Sequence, residues 1–214
     1  MPLRSIKRPA RLKRAGYHHG NLKEALVAAT VGMIEEGGVE NVSVREAAKR
    51  VGVSSGAPFR HFPTKTALLT AVAEEATRLL LQAMTRALAR HASAGPLERF
   101  RALGTGYMHW AIAHPIQFAI VSNRRLIDYD GSPSLKLDND KIRALMDDVL
   151  SEAREHGLLR VKNIDQIALA ARATAYGVAR MHVDGHLAQW GKGRGARAAF
   201  ESVFDLFIRG IAAE

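Results

Sequence analysis

Cysteine is absent from the chain, which excludes disulfide bonds and any chemistry that depends on a thiolate. No run of about 18 apolar residues occurs, so we expect no transmembrane helix and no membrane partner. The first 16 residues are basic, but no apolar segment follows them, so they do not form a secretory signal. These absences are compatible with the reducing cytoplasm, where we expect the protein to work.

Proline is also scarce, with seven residues in 214, and no long alternation of apolar and polar residues rich in Val, Ile and Thr is present. Few prolines and many alanines favour helix over sheet. Hydrophobic residues make up 47% of the chain and charged residues 24%, as in ordinary folded proteins. We therefore predict an all-α fold, with enough residues for one large domain or two small ones.

Positive charge is concentrated at the N-terminus. Residues 1–70 hold 12 Lys and Arg against 5 Asp and Glu, a net of +7, whereas the whole chain has a formal net charge of +10. Such a focus suits a polyanion, most often nucleic acid, although general solubility or an anionic membrane would also fit. Six of these cations precede Gly16: Arg4, Lys7, Arg8, Arg11, Lys13 and Arg14. They predict a flexible basic arm, which either follows the minor groove of DNA or only solubilises the protein.

Apolar residues recur at helical spacing from Asn21 onward, and Asn21 itself can cap the first helix. Ser43, with Glu46 three residues later, predicts a capping box, and Gly52 suits the left-handed residue that ends the second helix. Pro58 is tolerated in the first turn of a third, short helix. The predicted helices cover residues 22–36, 44–51, 55–61, 65–91, 97–113, 116–123, 135–155, 163 or 165 to 185, and 196–213.

This pattern divides the chain into a basic arm over residues 1–16, a three-helix unit over residues 17–64 and a larger helical body over residues 65–214. Two short helices joined by a glycine-centred turn are typical of the helix-turn-helix, whose second helix enters the major groove of DNA. Small side chains at the start of the third helix would let its backbone approach bases closely. An ordinary helical hairpin with a solvated charged face has the same spacing, so both interpretations stay open on spacing alone.

The segment from Gly20 to Leu69 resembles the DNA-binding domain of the tetracycline-repressor (TetR) family. The likeness is carried by Ser43-Val44-Arg45-Glu46-Ala47-Ala48 and by Val51-Gly52-Val53-Ser54-Ser55-Gly56-Ala57-Pro58-Phe59-Arg60-His61-Phe62. It implies a sequence-specific DNA-binding regulator, usually a dimeric repressor that a small-molecule inducer releases from a palindromic operator. The DNA contacts that it implies by position, with Arg60 added for its charge, come from Val44, Arg45, Ser55, Gly56, Ala57, Phe59, Arg60, His61 and Lys65.

The recognition helix departs from the family pattern in two ways. Phe59 stands where the family usually has tyrosine, so a hydrogen bond to phosphate of roughly 1.5–3 kcal/mol is lost, and Arg60 or the basic arm would have to offset it. Ala57 and Pro58 stand where threonine and leucine are frequent. We therefore expect bases to be read by DNA shape and by apolar contact with thymine methyl groups more than by direct hydrogen bonds.

The resemblance also implies that the body binds a small inducer, although the likeness weakens after about residue 95. Candidate pocket residues, each of which also suits plain core, are Trp110, Phe118, Met146, Arg172, Tyr176 and His182. Arg172 is the most informative, because a buried cation needs a carboxylate partner, an acidic ligand or solvent. His182 and His186 lie four residues apart without a suitable third ligand, so we expect no metal and no other cofactor.

Two stripes of residues predict a homodimer. Small side chains recur at helical spacing before residue 186, and the last helix carries a wide apolar face, so the two could pack as an intermolecular four-helix bundle. The predicted interface residues are Ala171, Ala175, Phe200, Phe204, Phe207 and Ile211. The alternative is that both stripes face the core of their own protomer. A two-fold axis would hold two recognition helices about 34–36 Å apart, one turn of DNA.

Two other classes of protein compete with this interpretation. A helical enzyme would need a nucleophile–base pair or a phosphate-binding glycine loop, and neither pattern is visible, so no catalytic residue is predicted. A DNA-architectural protein would share the helix-turn-helix but bind no inducer. A ligand that raises the melting temperature would separate a ligand-responsive regulator from such a protein.

Overall fold

A computed structural model describes residues 22–213, so the predicted basic arm and the cap at Asn21 lie outside the described residues. The described part contains nine α-helices and two 3₁₀ turns, Val39–Asn41 and Ala57–Arg60. The helices are α1 (Leu22–Gly37), α2 (Val44–Val51), α3 (Lys65–Arg90), α4 (Pro96–Ala113), α5 (Pro115–Val121), α6 (Pro133–Glu155), α7 (Ile164–Val183), α8 (His186–Trp190) and α9 (Ala196–Ile211). One isolated antiparallel bridge joins Leu159 to Ala212, and the all-α prediction is confirmed.

Polar caps set the starts of several helices. The side-chain oxygen of Ser43 accepts a hydrogen bond from the Glu46 amide at 3.1 Å, and Thr64 accepts one from the Ala67 amide at 3.0 Å. Asn163 caps α7 in the same way. Each cap satisfies an amide that has no partner inside its helix. Prolines occupy the first positions of α4, α5 and α6, where a missing amide costs nothing.

The C-terminal end of α7 differs from the prediction. The helix ends at Val183 instead of residue 185, because Gly185 adopts a left-handed conformation with φ of 79°. The short helix α8, which the sequence pattern did not reveal, then begins at His186. His182 and His186 therefore lie on different helices. Within residues 22–213 no cluster of three or more potential metal-binding side chains is present.

Two apolar cores are arranged along α3. The body core lies between α3, α4, α6, α7 and α9 and includes Phe100, Leu103 and Phe200. The N-terminal core joins α1 and α2 to the first turns of α3, and Leu26 and Leu68 lie at its centre. The single long helix α3 thus connects the N-terminal unit to the body. Within the described part, no helix combines the length and the apolar character needed to span a bilayer.

Candidate functional site

The helix-turn-helix begins with α2 and turns at a glycine. Gly52 has φ of 78°, a conformation that side chains with a Cβ rarely adopt, and its amide bonds to the carbonyls of Ala48 and Lys49. The Val53 amide also bonds to the Ala48 carbonyl, at 3.1 Å. The chain therefore reverses sharply after α2 and leads into residues 54–62, which we call the recognition segment.

The recognition segment is not the α-helix that the sequence predicted over residues 55–61. Only a 3₁₀ turn, Ala57–Arg60, forms there. Pro58 is the reason, since it has no amide to donate and disfavours the α conformation at Ala57 before it. The Pro58 carbonyl compensates by accepting hydrogen bonds from the amides of His61 and Phe62, at 2.9 and 2.8 Å. The segment is thus a compact, hydrogen-bonded turn.

Two buried side chains hold the recognition segment on the N-terminal core. Phe62 is 3% exposed, and Pro58 is also buried. The other residues of the segment are more accessible. Phe59 is 39% exposed, and Ala57 is half-buried. The remaining exposed residues are Ser55, Gly56, Arg60 and His61. The outward face therefore combines an aromatic ring, one permanent cation and small residues that leave the backbone accessible.

The structure separates the two contacts predicted from α2. Arg45 is exposed at the start of the helix. Val44 is only 6% exposed and packs in the N-terminal core, so the contact predicted from Val44 to DNA would have to come from its backbone. Its position in the first turn leaves the side chain on the inner face of an amphipathic helix.

Three cations near this face already have protein partners. Arg50 on α2 donates two hydrogen bonds to the Glu36 carboxylate on α1, at 3.0 and 2.5 Å, and this contact raises the pKa of Arg50. The Lys65 ammonium donates to the Glu40 carbonyl at 2.9 Å. Lys49 lies 3.6 Å from Glu46. Arg50 therefore braces α1 against α2, and Lys65 keeps only part of its donor capacity for another group.

A small cavity lies in the body where five helices meet. Its volume is about 30 Å³, and its lining comes from α3, α4, α6, α7 and α9. Of the predicted pocket residues, Met146 and Arg172 contribute to it; the other lining residues are Met84, Phe100, Leu103, Gly104, Tyr107, Ala171, Ala175 and Phe204. The structure thus adds Tyr107, which the sequence analysis did not single out because a lone tyrosine among apolar residues is usual in a core.

The other predicted pocket residues lie beside this cavity and not in its lining. Trp110 and Phe118 pack edge to face with ring centroids 6.2 Å apart, and Phe118 lies 5.7 Å from the Tyr176 ring. Trp110 also lies 6.0 Å from Tyr107, so the aromatic cluster reaches the wall of the cavity. His182 is half-buried near the end of α7 and does not line the cavity.

Both halves of the chain match known protein families. Residues 26–72 match the model of the bacterial regulatory proteins of the tetR family. Residues 100–207, about half of the chain, match the model of the tetracyclin repressor-like C-terminal domain. The chain belongs to the TetR family of transcriptional regulators. The first match contains α2 and the recognition segment, and the second contains most of the cavity lining.

Individual relatives agree with this assignment. The HTH-type transcriptional regulator BetI of Yersinia pestis is 33% identical over 84 residues, which are 39% of this chain and 42% of that protein. The chain thus spans about two fifths of the length of the curated relatives it matches. A protein of unknown function from Rhodococcus sp. RHA1 is 30% identical with a TM-score of 0.79, over 94% of this chain and 100% of that one. The regulator PfmR of Thermus thermophilus, at 19% identity and a TM-score of 0.69 over 86% and 97%, shares the fold.

The residues predicted for the dimer interface of this TetR-family chain lie in its own core. Ala171, Ala175, Phe200, Phe204 and Ile211 are each 6% exposed or less, and Phe207 packs against the body core. The five buried side chains form no exposed contact face, because α7 and α9 pack against each other and against α4 within the protomer, whereas Phe207 is half-buried. The outward faces of the same helices are also apolar: Leu169 is 71% exposed and Leu206 66%, with Tyr176 and Val203 beside them.

The connection between α5 and α6 fastens the body to the DNA-binding unit. Ile127 in this connection is buried in the N-terminal core, beside Ile120 of α5. The Asp128 amide donates to the Thr70 hydroxyl at 2.9 Å, and the Ser132 hydroxyl donates to the Glu74 carboxylate at 2.8 Å. The sequence pattern predicted only a loop here, since tertiary packing of a turn-rich segment leaves no periodic signal.

Burial of Tyr107 predicts a loss of stability in alkali. Desolvation raises the pKa of Tyr107 from 10.0 to about 12 in the folded protein. The unfolded chain therefore releases this proton first, and the free energy of unfolding should fall by about 3 kcal/mol as the pH rises through this window. Urea unfolding across this pH range should show a smaller loss in Tyr107→Phe, whereas Tyr129→Phe serves as the matched control. An equal alkaline loss in Tyr107→Phe would contradict the assignment.

Proposed function

We propose that the chain is a homodimeric repressor that binds a palindromic DNA operator through α2 and the recognition segment, and that a small molecule bound in the body releases it. The role is regulatory, not catalytic, and the place of action is the cytoplasm, where bacterial DNA lies. The observation that carries the proposal is the outward face of the recognition segment. It presents Phe59, Arg60 and His61 from a turn that buried Pro58 and Phe62 hold in place.

Phosphate and base contacts would divide between two elements. Arg45 at the exposed N-terminal turn of α2 and Arg60 on the recognition segment suit phosphates, while the free donors of Lys65 add a third contact at the start of α3. Ser55, Gly56 and Ala57 would allow close approach of the backbone to base edges. Phe59, lacking a hydroxyl, suits apolar contact with thymine methyl groups.

DNA binding and ligand binding would belong to two different parts of the chain. Residues up to 64 would act as the DNA-binding unit, and residues from 65 onward would bind the ligand and dimerise. Dimerisation would use the outward apolar faces of α7 and α9, through Leu169, Val203 and Leu206, because these side chains would otherwise remain in water. One recognition segment reads few bases, so a two-fold pair gives the specificity that an operator requires.

Selection of bound DNA from a random library tests the proposal directly. The purified full-length chain should enrich a palindrome whose half-sites are about one helical turn apart, since two symmetric recognition segments would read it. Heat-stabilisation screening would then identify compounds that raise the melting temperature and reduce operator binding. Failure to enrich any sequence, or enrichment of a single asymmetric half-site, would defeat the dimeric operator model.

Replacement of Arg60 by alanine should weaken operator binding roughly tenfold or more in every sequence context. Each dimer would lose two phosphate contacts, so the slope of log affinity against log salt should fall by about 2. Fluorescence anisotropy at several salt concentrations measures both quantities. Arg86→Ala removes another exposed cation, from the distant part of α3, and should leave both the affinity and the salt slope unchanged. A slope identical to that of the wild type would exclude a phosphate contact from Arg60.

A further inference from the structure

Arg172 faces the cavity without a carboxylate partner. It lies on α7, half-buried, and lines the cavity, with its guanidinium carbon 5.5 Å from the centre of the Tyr107 ring. Among residues 22–213, no Asp or Glu oxygen lies within 4 Å of its nitrogens, although its helix neighbour Arg180 pairs with Asp184. A partly desolvated cation without a counter-charge is costly, and the Tyr107 ring face offsets only a small part of that cost.

The rest of the wall is apolar. Met84 and Met146 line the cavity, and Leu103, Ala175 and Phe204 contribute further carbon surface. None of the lining residues is acidic, so the wall supplies one positive charge and no negative charge. Such a wall favours a molecule with a single anionic group on an apolar frame over a neutral polar or a cationic one.

A neutral hydrogen-bond donor, Tyr107, lies next to Arg172. Burial raises the pKa of Tyr107 to about 12, so its hydroxyl keeps its proton at any physiological pH and can donate. Trp110, one helical turn further along α4, is 3% exposed and lies outside the lining, with its ring 6.0 Å from that of Tyr107. The Tyr107 hydroxyl is therefore the neutral donor that an anionic oxygen beside Arg172 could meet.

We propose that this cavity takes an organic carboxylate with an apolar chain or ring, whose carboxylate pairs with Arg172 and accepts a hydrogen bond from Tyr107. This inference rests on the proposed function only in that the same compound would act as the releasing ligand. It names the chemistry of the ligand, which the fold alone does not give.

The present volume restricts how the ligand enters. About 30 Å³ holds little more than a single water molecule, so side chains in the wall must move. Met84 and Met146 are suited to this, since unbranched thioether side chains change rotamer at low cost. A narrow or flat apolar frame therefore fits better than a bulky, branched one.

Tryptophan fluorescence provides a binding assay that needs no DNA. The chain has two tryptophans, and Trp190 is 73% exposed, so Trp190→Phe leaves emission from Trp110 beside the cavity. The probes are hexanoate, octanoate, decanoate and 3-phenylpropanoate, each compared with its primary amide. We expect at least one carboxylate to change the emission with an affinity tenfold or more above that of its amide.

Substitutions at Arg172 test whether its positive charge binds the carboxylate of the ligand. In the Trp190→Phe background, Arg172→Gln should weaken carboxylate binding at least tenfold, and Arg172→Lys should restore part of it. Arg160→Gln, an exposed cation outside the cavity, should have no effect. Equal binding of acid and amide, unchanged binding in Arg172→Gln, or no binding of any carboxylate would overturn the inference. Binding that depends on Arg172 but does not release operator DNA would support the ligand class and count against the proposed regulation alone.

Discussion

Replacement of Leu206 by glutamate is expected to turn the protein into a monomer with about 10³-fold lower affinity for its operator, or lower still. Leu206 lies on the outward face of α9 and is 66% exposed, so a charge there costs the isolated protomer little. In the proposed dimer, the same position would bury two carboxylates in an apolar interface. A monomer presents one recognition segment and falls to the affinity of non-specific binding.

Sedimentation velocity at micromolar concentration and operator titration measure the two effects. Leu137→Glu is the matched control, because Leu137 is 54% exposed and lies on neither α7 nor α9, and the chemical change is identical. This control should remain dimeric and bind the operator normally. A dimer in Leu206→Glu with wild-type affinity would show that this face of α9 is not the interface.

Phe204→Ala is expected to lower the free energy of unfolding by about 3–5 kcal/mol. Phe204 is 2% exposed, and its ring stacks on Phe200 and Phe207 with centroids 5.0 and 5.6 Å away. A Cβ built on Gly104 would lie 2.7 Å from the same ring, so the glycine is what allows the ring to pack against α4. A domain of ordinary stability, about 5–15 kcal/mol, would lose a large share of it.

Urea unfolding at fixed protein concentration measures this loss. Phe59→Ala removes the same atoms from a side chain that is 39% exposed and should cost under about 1 kcal/mol. Because Phe204 lines the cavity, its removal should also enlarge it and admit carboxylates with bulkier apolar frames. A loss under about 1 kcal/mol in Phe204→Ala would mean that the core around α4 and α9 repacks freely.

Sequence reasoning was most successful where local chemistry decides structure. The cap at Ser43 and the turn at Gly52 depend on neighbouring residues alone, and both appear as predicted. The recognition segment is different, because a proline such as Pro58 is tolerated near the start of an α-helix and also within a 3₁₀ turn. The sequence pattern favoured the helix, and only the folded chain shows the tighter turn.

Sequence reasoning was least successful in deciding whether an apolar residue packs in the core of its own protomer or lies on the outward face of its helix. Phe200 and Leu206 both lie on α9, yet the first is in the protomer core and the second is exposed. Helical periodicity gives the faces of a helix but not which neighbour covers each face. The sequence did not predict Tyr107 as a cavity residue for a similar reason, since its proximity to Arg172 depends on the packing of α4 against α7.

The seven-residue helix α5 links the two cores of the molecule. Phe118 lies in the aromatic cluster beside the cavity, and Ile120, two residues later, is buried in the N-terminal core. The helix is only about 10 Å long, and the break at His114 separates it from α4. In the proposed regulation, a ligand that displaces the aromatic rings would therefore be separated from the core of the DNA-binding unit by two residues of this one helix.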